Sequence, residues 1–99
     1  MNYEDTGRFV RVRAVVSGRV QHVGFRSWTC EQAERLGLTG SVENLPDGSV
    51  EVFFQGKPEC VAEMKEKLKR GSSMSVVSRV IFYNEKVRHD ETFFGTVWY

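Results

Sequence analysis

RFVRVRAVVSGRVQHVGFRSWTCEQAERLG, residues 8–37, decides the fold of this chain. Its first third alternates. Val10, Val12, Ala14 and Val16 fall on one side, and Arg11, Arg13 and Ser17 on the other. Period two is the mark of a strand with one buried face. Its last third follows another rule: Phe25, Trp28 or Thr29, Gln32 or Ala33, and Leu36 recur at helical spacing, with Glu31, Glu34 and Arg35 opposite. Gly37 is placed to stop that helix, so the spacing predicts a helix from about Phe25 to Leu36. Between the two lies SGRVQHVGFR, with two glycines, two arginines and no acid. A flexible, basic joint between a strand and a helix raises the question of what it wraps.

Outward from this unit the pattern continues. LTGSVEN and SVEVFFQG read as short strands about the turn LPDG, where proline presets φ, aspartate bonds its own backbone and glycine accepts positive φ. In the second of them Val50, Val52 and Phe54 share a face. KPECVAEMKEKLKRG reads as a second amphipathic helix. Pro58 sits in its first turn, Val61, Met64, Leu68 and the stem of Lys65 face inward, Glu63–Lys67 and Glu66–Arg70 pair on the wet side, and Gly71 ends it. SVVSRVIFY reads as a strand, NEKVRHDE as a loop, and TFFGTVWY as a last, edge-like strand. The order is β-α-β-β-α-β, an α+β, ferredoxin-like split βαβ sandwich. The expected sheet is antiparallel, with two helices on one face and the other face left to solvent. Residues 1–7 are polar and read as a flexible N-terminal extension, leaving 8–99 as the domain.

The bulk numbers set limits. At 99 residues the chain has room for one core. Its 40% hydrophobic and 27% charged residues are ordinary for a soluble globular protein, and its net charge of +1 gives no long-range pull toward nucleic acid or a membrane surface. Cys30 and Cys60 lack metal-ligand spacing. A disulfide between them stays open on sequence alone, and two separate buried thiols are the simpler reading. MNYEDTG has no basic region and no apolar run, so no signal peptide is expected, and no stretch is long enough to span a membrane. The expectation is a cytoplasmic protein, and, without a heptad or an exposed apolar stripe, a monomer.

At a strand-to-helix joint, backbone N–H groups converge and the first helical ones lack internal partners, which suits an anion. Gly18 and Gly24 would let the chain curl, Arg19 and Arg26 would add charge, and an arginine in the first helical turn can fork onto two oxygens. The plain alternative is a glycine-bearing connector with solvated arginines. Asn44, at the end of SVEN, is either a turn residue bonding its own backbone or an amide facing the same anion and able to hold a water.

These residues resemble a known family. GRVQHVGFR is similar to the phosphate-binding signature of the acylphosphatases, GRVQGVGFR, and LGLTGSVENLPDGSVEV to their second signature, GLTGWVxNxxDGxVEV. Arg26 and Asn44 lie 18 positions apart, as the family's catalytic pair does, and the likeness runs from about Phe9 to the end. The resemblance implies hydrolysis of small acyl phosphates to carboxylate and inorganic phosphate, with no metal or cofactor. Arg26 would grip the phosphoryl oxygens and Asn44 would position the attacking water. The substrate would sit against Arg19, Val20, Gln21, His22, Val23, Gly24 and Phe25, with backbone N–H groups of Val20 to Phe25 forming the cradle. Two departures stand out. His22 replaces the family's usual glycine, and is either a solvent-pointing ring or, when protonated, an aid to anion binding. The chain ends GTVWY where the family often has FxIRY, so Trp98 replaces an arginine.

The alternative on the same scaffold is a non-catalytic module binding an anion or carbamoyl phosphate. An RNA-binding sheet using Phe9, Arg11 and Arg13 lacks the aromatic signatures such modules need. His89, Asp90 and Glu91 read as a solvated turn rather than metal ligands.

Overall fold

The computed structural model describes residues 8–97. The expectations for residues 1–7 and for Trp98 lie outside them. The elements are β1 (Val10–Arg19), α1 (Phe25–Arg35), β2 (Thr39–Asn44), β3 (Val50–Gly56), α2 (Pro58–Arg70), β4 (Val76–Glu85) and β5 (Phe94–Thr96). One five-stranded sheet has the order β4-β1-β3-β2-β5. Period-two alternation sets the pairing: Val12, Ala14 and Val16 stand opposite Phe54, Val52 and Val50, all on the face the helices cover. A one-residue slip would turn every one of them to water. α1 lies over β2 and β5, and α2 over β1, β3 and β4. Val61, Met64 and Leu68 form the buried stripe of α2, each contributing on the order of 1.5–3 kcal/mol by burial. The stem of Lys65 lies inward as its position requires, with Nζ 5.4 Å from the centre of the Phe82 ring. On the wet side of α2 the ion pair formed is Glu66–Lys69, at 2.9 Å.

The sheet is not wholly antiparallel. β5 runs parallel to β2, with Phe94 beside Gly40 and Thr96 beside Val42. The cause is where the chain must cross. β4 and β5 are the two edges of the sheet, and β4 ends at the end of the sheet where β1 and β2 begin. The segment 86–93 passes along that end and enters β5 heading the same way as β2.

That crossing also covers part of the face expected to be open. Arg11, on that face, is only 5% exposed because Glu91 of the crossing segment pairs with it at 2.8 Å. The Arg11 guanidinium also lies 5.2 Å from the centre of the Phe53 ring. Gln55 fixes the segment in place: its Oε1 accepts from the Arg88 backbone N–H at 2.8 Å and its Nε2 donates to the Arg88 carbonyl at 2.7 Å. The HDE run is thus a structural strap in which Glu91 neutralises a buried arginine. Farther up this face Arg13 lies 4.1 Å from the centre of the Tyr83 ring, between Glu51 and Glu85.

Cys30 and Cys60 are half-buried and free. Among the described residues no helix is long and apolar enough to cross a membrane.

Candidate active site

β1 and β2 both point toward one end of the sheet, and the loop after β1 returns there into α1. Two buried side chains anchor that loop. Val20 and Phe25 are each 1% exposed, and Phe25 also meets Trp28 with ring centres 5.4 Å apart. The four residues between them must turn at the surface. They do so with His22 at φ 62° and Gly24 at φ 76°, two left-handed residues two positions apart that curl the main chain. His22 is the one non-glycine with positive φ among the described residues. Gly18 has another task. It marks a bulge between β1 and β4, and a Cβ there would run into the Val76 carbonyl and the Ser78 N–H. Its glycine serves sheet packing, not approach to a ligand.

Gly24 caps α1 without a side-chain bond, and the first turn carries no acid. The first helical bond runs from the Trp28 N–H to the Gly24 carbonyl at 3.0 Å. The N–H groups of Phe25, Arg26 and Ser27 therefore precede the internal ladder, at the positive end of the helix dipole.

The cavity at this end encloses about 100 Å³ and is lined by Val20, His22, Gly24, Phe25, Arg26, Ser27, Asn44 and Thr96. It suits a small group rather than an extended ligand. Asn44 reaches it because it pairs with Val50 and so projects from the helix-covered face of β2. Its Oδ1 is buried with no hydrogen-bond partner among the described residues. A buried acceptor left unpaired is costly, and in a cavity it favours a donor such as water.

Of the residues singled out in the sequence, Arg26 and Asn44 meet at this cavity with Val20, His22, Gly24 and Phe25. Arg19, Gln21 and Val23 are not among its lining. Arg19 is exposed at the end of β1, opposite Val76 of β4. Val23 packs against the core from the loop. Gln21 turns its side chain to the β2–β3 hairpin, where Nε2 donates to the carbonyls of Leu45 and Ser49, each at 2.8 Å. That hairpin is held by Asp47, whose Oδ1 accepts from the Ser49 hydroxyl at 2.6 Å and the Ser49 N–H at 2.9 Å. These bonds, the hydroxyl first, hold the Asp47 carboxyl below its ordinary range.

Ser27 and Thr96 also line the cavity and were missed in the sequence. Ser27 had a signal, since it follows Arg26 in the first turn of the helix. Thr96 had none. It arrives on the parallel edge strand, with Oγ1 3.3 Å from the Cys30 sulfur of α1.

Comparison with known proteins identifies the family. The family model for acylphosphatase matches residues 12–96. An acylphosphatase of Rhizobium etli is 49% identical over 76 residues, 77% of this chain and 79% of that protein. One of Syntrophobacter fumaroxidans is 46% identical over 88 residues, 84% of this chain and 91% of the relative. The solved structure of an acylphosphatase from Coxiella burnetii superposes with a TM-score of 0.89 at 31% identity, covering 97% of this chain and all of that one. A match that runs through β1, both helices and the closing edge strand leaves no part of the cavity outside it, and the chain belongs to the acylphosphatase family.

Proposed function

We propose that this acylphosphatase hydrolyses the carboxyl–phosphate anhydride of small acyl phosphates with the phosphoryl group held by the 19–26 loop and Arg26, and the attacking water oriented by Asn44. The backbone N–H groups that open α1, and those of the curled loop, take the equatorial phosphoryl oxygens, and the Arg26 guanidinium supplies the formal charge. The water oxygen forms a bond to phosphorus as the bond from phosphorus to the acyl oxygen breaks. The bonding pair leaves with the carboxylate, one proton of the water passes to a phosphoryl oxygen, and the other stays on the oxygen that attacked. Acyl phosphate dianion and water thus become carboxylate and dihydrogen phosphate. A carboxylate is a good leaving group, so no strong base is required, and a neutral amide that orients water suffices.

The observation that carries this reading is the meeting of three features in one cavity: a helix start with no side-chain cap, Arg26, and an Asn44 oxygen buried without a partner among the described residues. Two free, half-buried thiols suit a reducing cytoplasm.

Benzoyl phosphate turnover with inorganic phosphate as inhibitor tests the roles. Arg26→Ala is expected to lose about 10²-fold or more in kcat/KM and to weaken phosphate inhibition. Asn44→Ala is expected to lose kcat while phosphate inhibition persists. Parental turnover in either variant removes the role assigned to that residue.

A further inference from the structure

We propose that Gln21 is a positioning residue: its carboxamide sets the distance between the phosphate-holding loop and Asn44, and so sets where the attacking water stands relative to phosphorus. The inference rests on the roles given above to the loop and to Asn44.

Loop and hairpin come from different parts of the chain, and the Gln21 side chain ties them together. One amide nitrogen carries two N–H groups, and it meets two carbonyls at the mouth of the hairpin, Leu45 O and Ser49 O, each at 2.8 Å. The chemistry fixes which end of the amide points there, because an amide oxygen turned toward two carbonyl oxygens would be repelled. Leu45 directly follows Asn44, so the clamp grips the chain one residue beyond the carboxamide that faces the cavity. On its own side Gln21 lies next to Val20, a buried anchor of the loop, and next to His22, where the left-handed curl begins.

The hairpin does not need this clamp to form. Leu45 N–H donates to Ser49 O at 2.8 Å, Gly48 N–H donates to Leu45 O at 3.1 Å, and Asp47 holds the Ser49 N–H. Removing the Gln21 donors leaves those bonds in place. What is lost is the tie between the group that holds phosphate and the group that holds water. A misplacement of about 1 Å between reacting partners costs on the order of 10²-fold in rate.

The experiment is a double-mutant cycle on benzoyl phosphate hydrolysis, with phosphate inhibition measured alongside and folding checked by urea unfolding. Gln21→Met keeps most of the side chain's bulk and removes both donors; Gln21→Ala removes the side chain. Each is expected to lower kcat by about tenfold or more, with a smaller loss in phosphate affinity. In an Asn44→Ala background the same substitutions are expected to cost less than about twofold, because there is no longer a water-holding amide to misplace. A loss of equal factor in both backgrounds, or an undiminished kcat in folded Gln21→Met, overturns the inference. If Asn44→Ala itself turns over like the parent, the role of Asn44 fails instead, and the two failures are told apart by that single variant.

Discussion

Asn44 and Val50 stand opposite each other across β2 and β3, and Val50 is wholly buried beneath the helices. The pairing therefore puts the Asn44 carboxamide on the helix-covered face, at the end of the sheet where the loop enters α1. Strand register, set by apolar burial along the whole pair, aims a polar group into the site. Val42, two residues earlier, pairs with both Val52 and Thr96, so the same face also brings the edge strand to the cavity.

Asn44→Asp keeps the shape of this side chain and adds a negative charge beside a bound dianion. It is expected to turn over more slowly than Asn44→Ala and to weaken phosphate inhibition, which Asn44→Ala does not. Turnover above that of Asn44→Ala would show that a base, and not an oriented amide, serves this position.

His22 adopts φ 62°, a region that costs a non-glycine residue roughly 1–2 kcal/mol, and glycine would return part of that as unfolded-chain entropy. His22→Gly is expected to raise stability by up to about 1 kcal/mol in urea unfolding. His22→Val, branched at Cβ, is expected to lower it. A loss of stability in His22→Gly would mean that the imidazole makes contacts worth more than the strain.

Glu91 neutralises an arginine that is 5% exposed, while Glu91 itself is 14% exposed. Glu91→Ala leaves Arg11 buried without its counter-charge and is expected to cost about 3 kcal/mol of stability. The double variant Arg11→Met/Glu91→Ala is expected to recover most of that loss, since no charge is then stranded. Unfolding measurements in which the double is as unstable as the single variant would place the cost in packing of the strap.

Asp47 has a folded-state pKa held below its ordinary 3.8 by its bonds from the Ser49 hydroxyl and N–H. Its stabilising contribution is fully present above that ordinary value and is lost as pH falls through the lowered one. The group is solvent-exposed, so the effect is modest. Asp47→Ala is expected to be less stable than the parent at neutral pH, with the difference closing as pH falls below the ordinary carboxyl range. A gap that stays constant across that range would assign the effect to turn geometry rather than to ionisation.

The sequence by itself determined the order of the elements and most of the apolar residues that face inward, while the last strand, read over TFFGTVWY, is confined among the described residues to Phe94–Thr96. Alternating valines on β1 and β3, the Val61, Met64, Leu68 stripe of α2 and the LPDG turn are local patterns with local causes, so they could be read without a structure. The two signatures likewise named Arg26 and Asn44. Contacts between distant segments were decided only by the tertiary structure. The direction of β5, the arrival of Thr96 at the cavity, the Glu91 strap over Arg11 and the grip of Gln21 on the hairpin all depend on where the chain crosses from one sheet edge to the other and on which strands pair. Hydrophobic period records which side of an element avoids water. It carries no record of which other segment supplies the cover, because any apolar or charge-matched partner satisfies the same local pattern until the whole sheet closes.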